Sequence, residues 1–199
     1  MPCQVRSLRI AGPFAVVFAM LVVASHSTGQ EKQAEEKADV KQEEKTGKVE
    51  TAKLGATRNV HVCNGLFLAG QFQEDDFDVF SENKIKRIIT LRVSNEIKWD
   101  EKKVAEEKGF EFIEIPFRGE ESLTDEVFDK VRKLLKEKDK TTLLHCGSAN
   151  RVGGVWLPYR VLDQGVDLET ALKEAREVGL RTKAYEKKAI EYIKRKMKK

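Results

Sequence analysis

Cys146 is followed by Gly147, Ser148, Ala149 and Asn150 and then by Arg151, and this spacing gives the chain its means of doing chemistry. His145 precedes the cysteine, the run Thr142 to His145 reads as a short buried strand, and an amphipathic stretch begins near Arg151. A cysteine at a strand end, a loop of small residues and an arginine at a helix start form an oxyanion cradle. The N–H groups of such a loop and of a helix N-terminus point inward and favour negative charge. The same field favours the thiolate of Cys146 over the thiol. Arg151 offers a planar donor fork that matches phosphate bidentately. The chemistry these residues suggest is attack by a thiolate on a phosphoryl group through a covalent intermediate. Gly147 to Asn150 would then supply backbone N–H groups to the developing charge. His145 either tunes the thiolate from behind or is a satisfied core histidine. A plainer reading makes Cys146 a small buried hydrophobe and Gly147 to Asn150 a simple turn, but it leaves Arg151 and the following Gly153-Gly154 unexplained.

The segment HCGSANRVGG resembles the signature of the cysteine-dependent protein tyrosine and dual-specificity phosphatase superfamily. That superfamily usually places five residues between cysteine and arginine, one more than stand here. A bacterial branch with the shorter loop, often called the beta-lactamase-hydrolase-like phosphatase domain, is the better match. Three further stretches resemble it in the same order: Leu68-Ala69-Gly70-Gln71, Lys86 to Arg92 ending in Leu-Arg, and Phe110 to Pro116 ending in Ile-Pro. The resemblance covers roughly 58–193. It implies a three-layer α/β domain, a Cys146 nucleophile, an Arg151 clamp and no cofactor or metal. It also implies a general acid on the loop after the third strand, commonly an Asp. Here that loop carries Arg118, Gly119, Glu120 and Glu121, so Glu120 or Glu121 is the candidate acid, and each is otherwise a solvated carboxylate. Arg92 and Gln71 fall at matching positions, where they shape the pocket or satisfy backbone groups. Two positions depart from the pattern. Val152 replaces the Ser or Thr that helps the cysteine leave, so either hydrolysis of a phospho-cysteine is slow or water positioning falls to Ser148 or Asn150. Ala149 stands where Gly is usual, and because Ala avoids positive φ a slightly different loop path is expected.

The elements that must hold these residues alternate between strand and helix. Val60 to Ala69 reads as a strand or strand pair, 74–82 as a short helix burying Phe77 and Phe80, and Ile88 to Val93 as a central strand. Glu96 to Lys108 reads as a polar helix closed by Gly109, and Phe112 to Ile115 as a further strand. Val127, Phe128, Val131, Leu134 and Leu135 have helical spacing. Pro158 predicts a kink or early stop in the helix after Arg151. Asp167 and Gly179 bracket another helix, and Ala184 to Met197 reads as a last amphipathic one. This alternation predicts an α/β domain with a mainly parallel sheet of four to five strands flanked by helices. Ligands of such sheets sit beyond the carboxyl ends of the strands, where Cys146, Arg92 and the loop after Pro116 fall.

The start of the chain has a different character. Arg6 and Arg9, the apolar run Ile10 to Ala24 and the small polar stretch to Gln30 follow the plan of a signal peptide over 1–29. The run falls short of the about 20 residues that span a bilayer. The expected location is therefore periplasmic or extracellular, with an uncleaved N-terminal tether as the alternative and the only membrane contact. Residues 30–53, rich in Glu, Lys and Gln, read as a disordered linker, leaving 54–199 as one phosphatase-like domain.

The net charge of +4, from 37 Lys and Arg against 33 Asp and Glu, does not indicate a nucleic-acid partner. Export leaves Cys63 and Cys146, too few for a disulfide scaffold, with a bridge between them possible only if geometry allows. His26, His61 and His145 are isolated and have no zinc spacing. The expected partner is a phosphorylated protein or small molecule, and the sequence does not set the oligomeric state. A rhodanese-like sulfurtransferase, whose cysteine loop is similarly compact, and a non-catalytic oxyanion-binding module are the competing functions.

Overall fold

The computed structural model describes residues 47–198, so the expected signal peptide and most of the expected linker lie outside the described residues. The strands are β1 Glu50–Thr51, β2 His61–Cys63, β3 Leu66–Ala69, β4 Arg87–Thr90, β5 Glu111–Glu114 and β6 Thr142–His145. The helices are α1 Phe77–Glu82, α2 Glu101–Glu107, α3 Asp125–Leu135, α4 Asn150–Leu162, α5 Leu168–Val178 and α6 Lys183–Met197. The six strands form one sheet in the order β1-β2-β3-β6-β4-β5. β1, β2 and β3 pair antiparallel, and β3, β6, β4 and β5 pair parallel.

The sheet has one strand more than its expected four to five because the linker ends earlier than Lys53. Val49 is buried, Glu50 and Thr51 pair with Val62 and His61, and the Gly47 carbonyl accepts from Arg160 at 3.0 Å. A single apolar side chain and the backbone pairing of an edge strand tie down a stretch that composition marks as solvated.

Alternation along the central strands separates two apolar layers. Ile88 and Leu143 face α1 and α2 with Phe72, Phe77 and Phe80, while Ile89, Leu144 and Leu68 face α3 to α6. This period of two is what a parallel sheet covered on both faces requires. α4 lies at the centre of the second layer, and every residue from Val152 to Arg160 is buried. It runs unbroken through Pro158, against the expected stop. Pro158 has no N–H to bond the carbonyl of Gly154, and burial on all sides holds the helix. Gly153 has a packing role: a Cβ there would sit 2.5 Å from the Ala175 carbonyl of α5.

The expected helix from Glu96 begins five residues later. Residues Ser94–Glu96 form a 3-10 turn, and Asp100 caps α2 by accepting from the Lys103 N–H at 3.0 Å.

Candidate active site

The four parallel strands end at one level, since Ala69 and Thr90 both register with His145, and Thr90 with Glu114. The residues that follow, Gly70-Gln71, Leu91-Arg92, Ile115 to Arg118 and Cys146, therefore meet along one edge of the sheet. Backbone bonds stitch them together. The Cys146 N–H donates to the Ala69 carbonyl (3.2 Å), the Gln71 N–H to the Gly147 carbonyl (3.2 Å) and the Leu91 N–H to the His145 carbonyl (3.0 Å).

Cys146 lies at the base of the loop, 1% exposed, and the chain turns at once into α4. The turn is made by Ala149 at φ 62°, ψ 0°. The expected detour around the left-handed region does not occur. Ala149 is fully buried, and its methyl fills the space beside Gly179, where a Cβ would come within 3.1 Å of it. The left-handed turn costs about 1–2 kcal/mol, and burial of the methyl offsets part of it. Among the described residues, the N–H groups of Gly147, Ser148, Asn150 and Arg151 donate to no protein acceptor. They are the donors that a helix N-terminus offers an anion.

Arg151 leans back over this loop. Nη1 donates to the carbonyls of Leu91 and Phe117, both at 2.9 Å, and Nη2 donates to Glu96 Oε2 at 2.5 Å. A Cβ on Gly147 would lie 3.8 Å from Nη2, so the guanidinium borders the cradle. Glu96 also stands 3.8 Å from Arg92 Nε and 3.7 Å from Arg118 Nε, so three arginines share one carboxylate.

Arg92 and Gln71 turn inward rather than toward a ligand. They hydrogen-bond each other, and both donate to Glu101 Oε1, at 3.1 Å from Arg92 Nη1 and 2.7 Å from Gln71 Nε2. A third Arg92 side-chain bond, to the Glu96 carbonyl, fixes the turn that presents Glu96. Glu101 is 2% exposed, and burial raises its pKa against the pull of Gln71 and Arg92.

His145 is fully buried on the opposite face of the sheet from the core layer that holds Cys146, edge-on to Phe72 and 3.7 Å from Glu101 Oε2. Burial drives its pKa down to about 3, Arg92 and Arg151 push the same way, and a backbone contact with Cys146 opposes them. It is therefore neutral. Neither ring nitrogen finds a protein partner, so its place in the site is that of a packed ring beneath the cysteine.

The rest of the loop is also tied down. Asn150 Oδ1 accepts from the N–H groups of Arg181 (2.8 Å) and Thr182 (3.1 Å), and its Nδ2 donates to Thr182 Oγ1 (2.8 Å). This occupies the amide and leaves Ser148, whose Oγ accepts from Arg181 Nη2 at 2.6 Å, as the hydroxyl at the loop. Val152 is buried in the core. Glu120 and Glu121 are exposed on the loop after β5. That loop is pinned by Ser122 Oγ on the Arg118 backbone and by the Gly119 N–H on Tyr185 Oη (3.1 Å). Cys63 and Cys146 form no disulfide, and burial raises the pKa of Cys63.

Glu96 and Glu101 are the site residues that sequence reasoning missed. Their one available signal is position: both follow Leu91-Arg92 closely, Glu96 at a helical spacing from Arg92.

No family model and no curated protein matches the sequence. Solved structures do match the fold. A putative phosphatase from Shewanella putrefaciens CN-32 superposes with a TM-score of 0.60 at 18% identity, over 71% of this chain and 95% of that one. TpbA of P. aeruginosa matches with a TM-score of 0.58 at 19% identity, over 73% and 88%. A human tyrosine phosphatase-like serine/threonine/tyrosine-interacting protein matches with a TM-score of 0.59 at 15% identity, over 69% and 97%. The chain has the fold of the cysteine-dependent, tyrosine-phosphatase-like proteins.

Proposed function

We propose that this chain is an exported phosphatase that cleaves a phosphate monoester through a phospho-cysteine intermediate. The observation that carries the reading is the junction of β6 and α4, where Cys146 is followed by backbone N–H groups without protein acceptors and by the Arg151 guanidinium. Those N–H groups and Arg151 would hold the three non-bridging oxygens and stabilise the charge that builds on them. The Cys146 thiolate attacks phosphorus as the bond to the ester oxygen breaks, and the leaving oxygen takes a proton from a carboxylic acid. Water then attacks the phospho-cysteine, gives its proton to the same carboxylate, and releases inorganic phosphate and the thiolate. In this reading the acid is Glu120 or Glu121, on the pinned loop beside Arg118. TpbA has been crystallised in complex with pTyr, which supports a phosphorylated partner for this chain as well. The signal-peptide plan of 1–29 supports export to the periplasm or the extracellular space.

The full hold of Glu96 on Arg151 Nη2 favours a second reading, an oxyanion-binding module without turnover. One experiment separates them: hydrolysis of phenyl phosphate by the full chain, reduced and metal-free, beside Cys146→Ser, Glu120→Gln and Glu121→Gln. Turnover that disappears in Cys146→Ser and drops about 10²-fold or more in one of the two Gln variants is expected. A folded, reduced wild type without turnover sinks the phosphatase reading, and sulfur transfer from thiosulfate to cyanide would then mark a sulfurtransferase.

A further inference from the structure

Of the ten arginines among the described residues, all but Arg58 and Arg181 have a carboxylate oxygen no farther than 3.7 Å away. These two are exposed, and both touch the cysteine loop. Arg58 Nη2 reaches the Gly147 carbonyl at 3.4 Å, and Arg181 Nη2 donates to Ser148 Oγ at 2.6 Å. Their backbones are fastened to the same edge. The Arg58 carbonyl accepts from the Gly70 N–H at 2.7 Å, and the Arg181 N–H donates to Asn150 Oδ1 at 2.8 Å. They approach from opposite ends of the sequence, Arg58 from the turn before β2 and Arg181 from the turn before α6.

Two uncompensated cations beside a loop that already gathers N–H dipoles repel one another and the site around them. Elsewhere among the described residues the arginines pair with carboxylates. At the seat of the scissile phosphate Glu96 and Glu101 offset part of the charge of Arg92, Arg118 and Arg151. Arg58 and Arg181 add charge without such an offset, on the rim of that seat. We infer that the substrate is a compact organic ester carrying a second phosphate beside the scissile one, and that Arg58 and Arg181 hold this second phosphate. The inference rests on the phosphatase reading and names its substrate class. Compactness follows from the anchor points, Gly147 and Ser148, whose Cα atoms as neighbours lie about 3.8 Å apart. The second phosphate must sit within a few bonds of the first. A phosphate suits the two guanidinium forks better than a lone carboxylate because it carries about −1.5 to −2 charge at pH 7 and three strong acceptor oxygens.

The test compares phenyl phosphate with 1,2-, 1,3- and 1,4-benzenediol bisphosphate on the full chain. Wild type should favour at least one bisphosphate by about ten-fold or more in kcat/KM, the factor that one good ionic contact supplies. Arg58→Gln with Arg181→Gln should bring that ratio to about one, Lys at both positions should keep part of it, and raising salt should shrink it. A wild-type ratio near one, a ratio that survives the double Gln change, or a stronger preference for an acidic phosphopeptide overturns the inference. Calorimetric binding of the same four compounds to Cys146→Ser separates this failure from that of the phosphatase reading. A binding preference without any turnover retains the second seat and removes the catalysis. Equal binding of mono- and bisphosphate removes the second seat whatever the turnover.

Discussion

Arg151 Nη2 lies 2.5 Å from Glu96 Oε2, while Nη1 of the same guanidinium is held by the carbonyls of Leu91 and Phe117. The arginine is thus fixed at one end by backbone and at the other by a carboxylate that an incoming phosphate must displace or share. Removing the negative charge leaves Arg118 and Arg151 without a carboxylate partner, while Arg92 keeps Glu101. Glu96→Gln, in a Cys146→Ser background, should bind inorganic phosphate about ten-fold more tightly by calorimetry, at a cost of about 1–3 kcal/mol in folding stability. Unchanged phosphate affinity would mean that Glu96 does not compete for Arg151.

His145 predicts a particular form of acid sensitivity. Its folded pKa of about 3 lies below the about 6.5 of an unfolded histidine. Between those values the unfolded chain binds a proton that the folded chain refuses. The contribution is complete above about pH 6.5 and is lost as pH falls toward 3, by up to about 1.4 kcal/mol per unit. Glu101 has the opposite sign: its raised pKa makes the folded chain hold a proton longer, so that contribution fades as pH rises through the carboxylate range. In urea titrations at pH 7 and pH 4.5, His145→Asn should lose less stability on acidification than wild type. Equal losses would place the acid sensitivity elsewhere.

Ala149 and Gly179 form a complementary pair, one with a methyl at positive φ and the other without a side chain to oppose it. Ala149→Gly relieves about 1–2 kcal/mol of backbone strain and loses about 0.8 kcal/mol of buried methyl, so its stability should stay within about 1 kcal/mol of wild type. Gly179→Ala meets both a φ of 139° and the Ala149 methyl at 3.1 Å, and should cost about 2 kcal/mol or more. Thermal unfolding of the two single variants checks both. A tolerated Gly179→Ala would show that the α5–α6 turn can move.

The start of the folded body can be tested by truncation. A chain beginning at Leu54 lacks β1 and Val49, whose burial is worth about 1.5–3 kcal/mol, and lacks the Gly47 carbonyl that Arg160 holds. It should unfold at distinctly lower urea than a chain beginning at Asp39. Equal midpoints would make β1 an ornament of the edge.

The parts of the fold legible in the sequence are those where local chemistry and tertiary demand agree. β6 ends where the apolar run meets His145, Asp167 caps α5 through the Thr170 N–H at 2.9 Å, and Gly179 ends it. Val60 to Ala69 reads as a strand or strand pair and is a pair, turned at Asn64-Gly65 where both residues take positive φ. The failures share a cause. Glu96 and Glu101 stand among ordinary polar residues, and nothing local marks a carboxylate that will be buried against arginines from other strands. Arg58 and Arg181 lie far from Cys146 in sequence, and they are brought to it by the Gly70 N–H on the Arg58 carbonyl and by Asn150 Oδ1 on the Arg181 N–H. Glu50 and Thr51 look solvated until β2 offers them a backbone partner. Pro158 follows a local rule that burial of α4 overrides.

That burial has a further consequence. Because α4 is enclosed from Val152 to Arg160 and carries the cysteine loop at its first turn, the loop has little freedom to open by itself. Amide hydrogens just inside α4 should exchange with solvent only when the whole domain unfolds, on the slowest timescale the protein possesses. The seat of the anion would then be as durable as the domain itself, and variation in what it accepts would fall to the surface segments around it, which can change without disturbing the helix beneath.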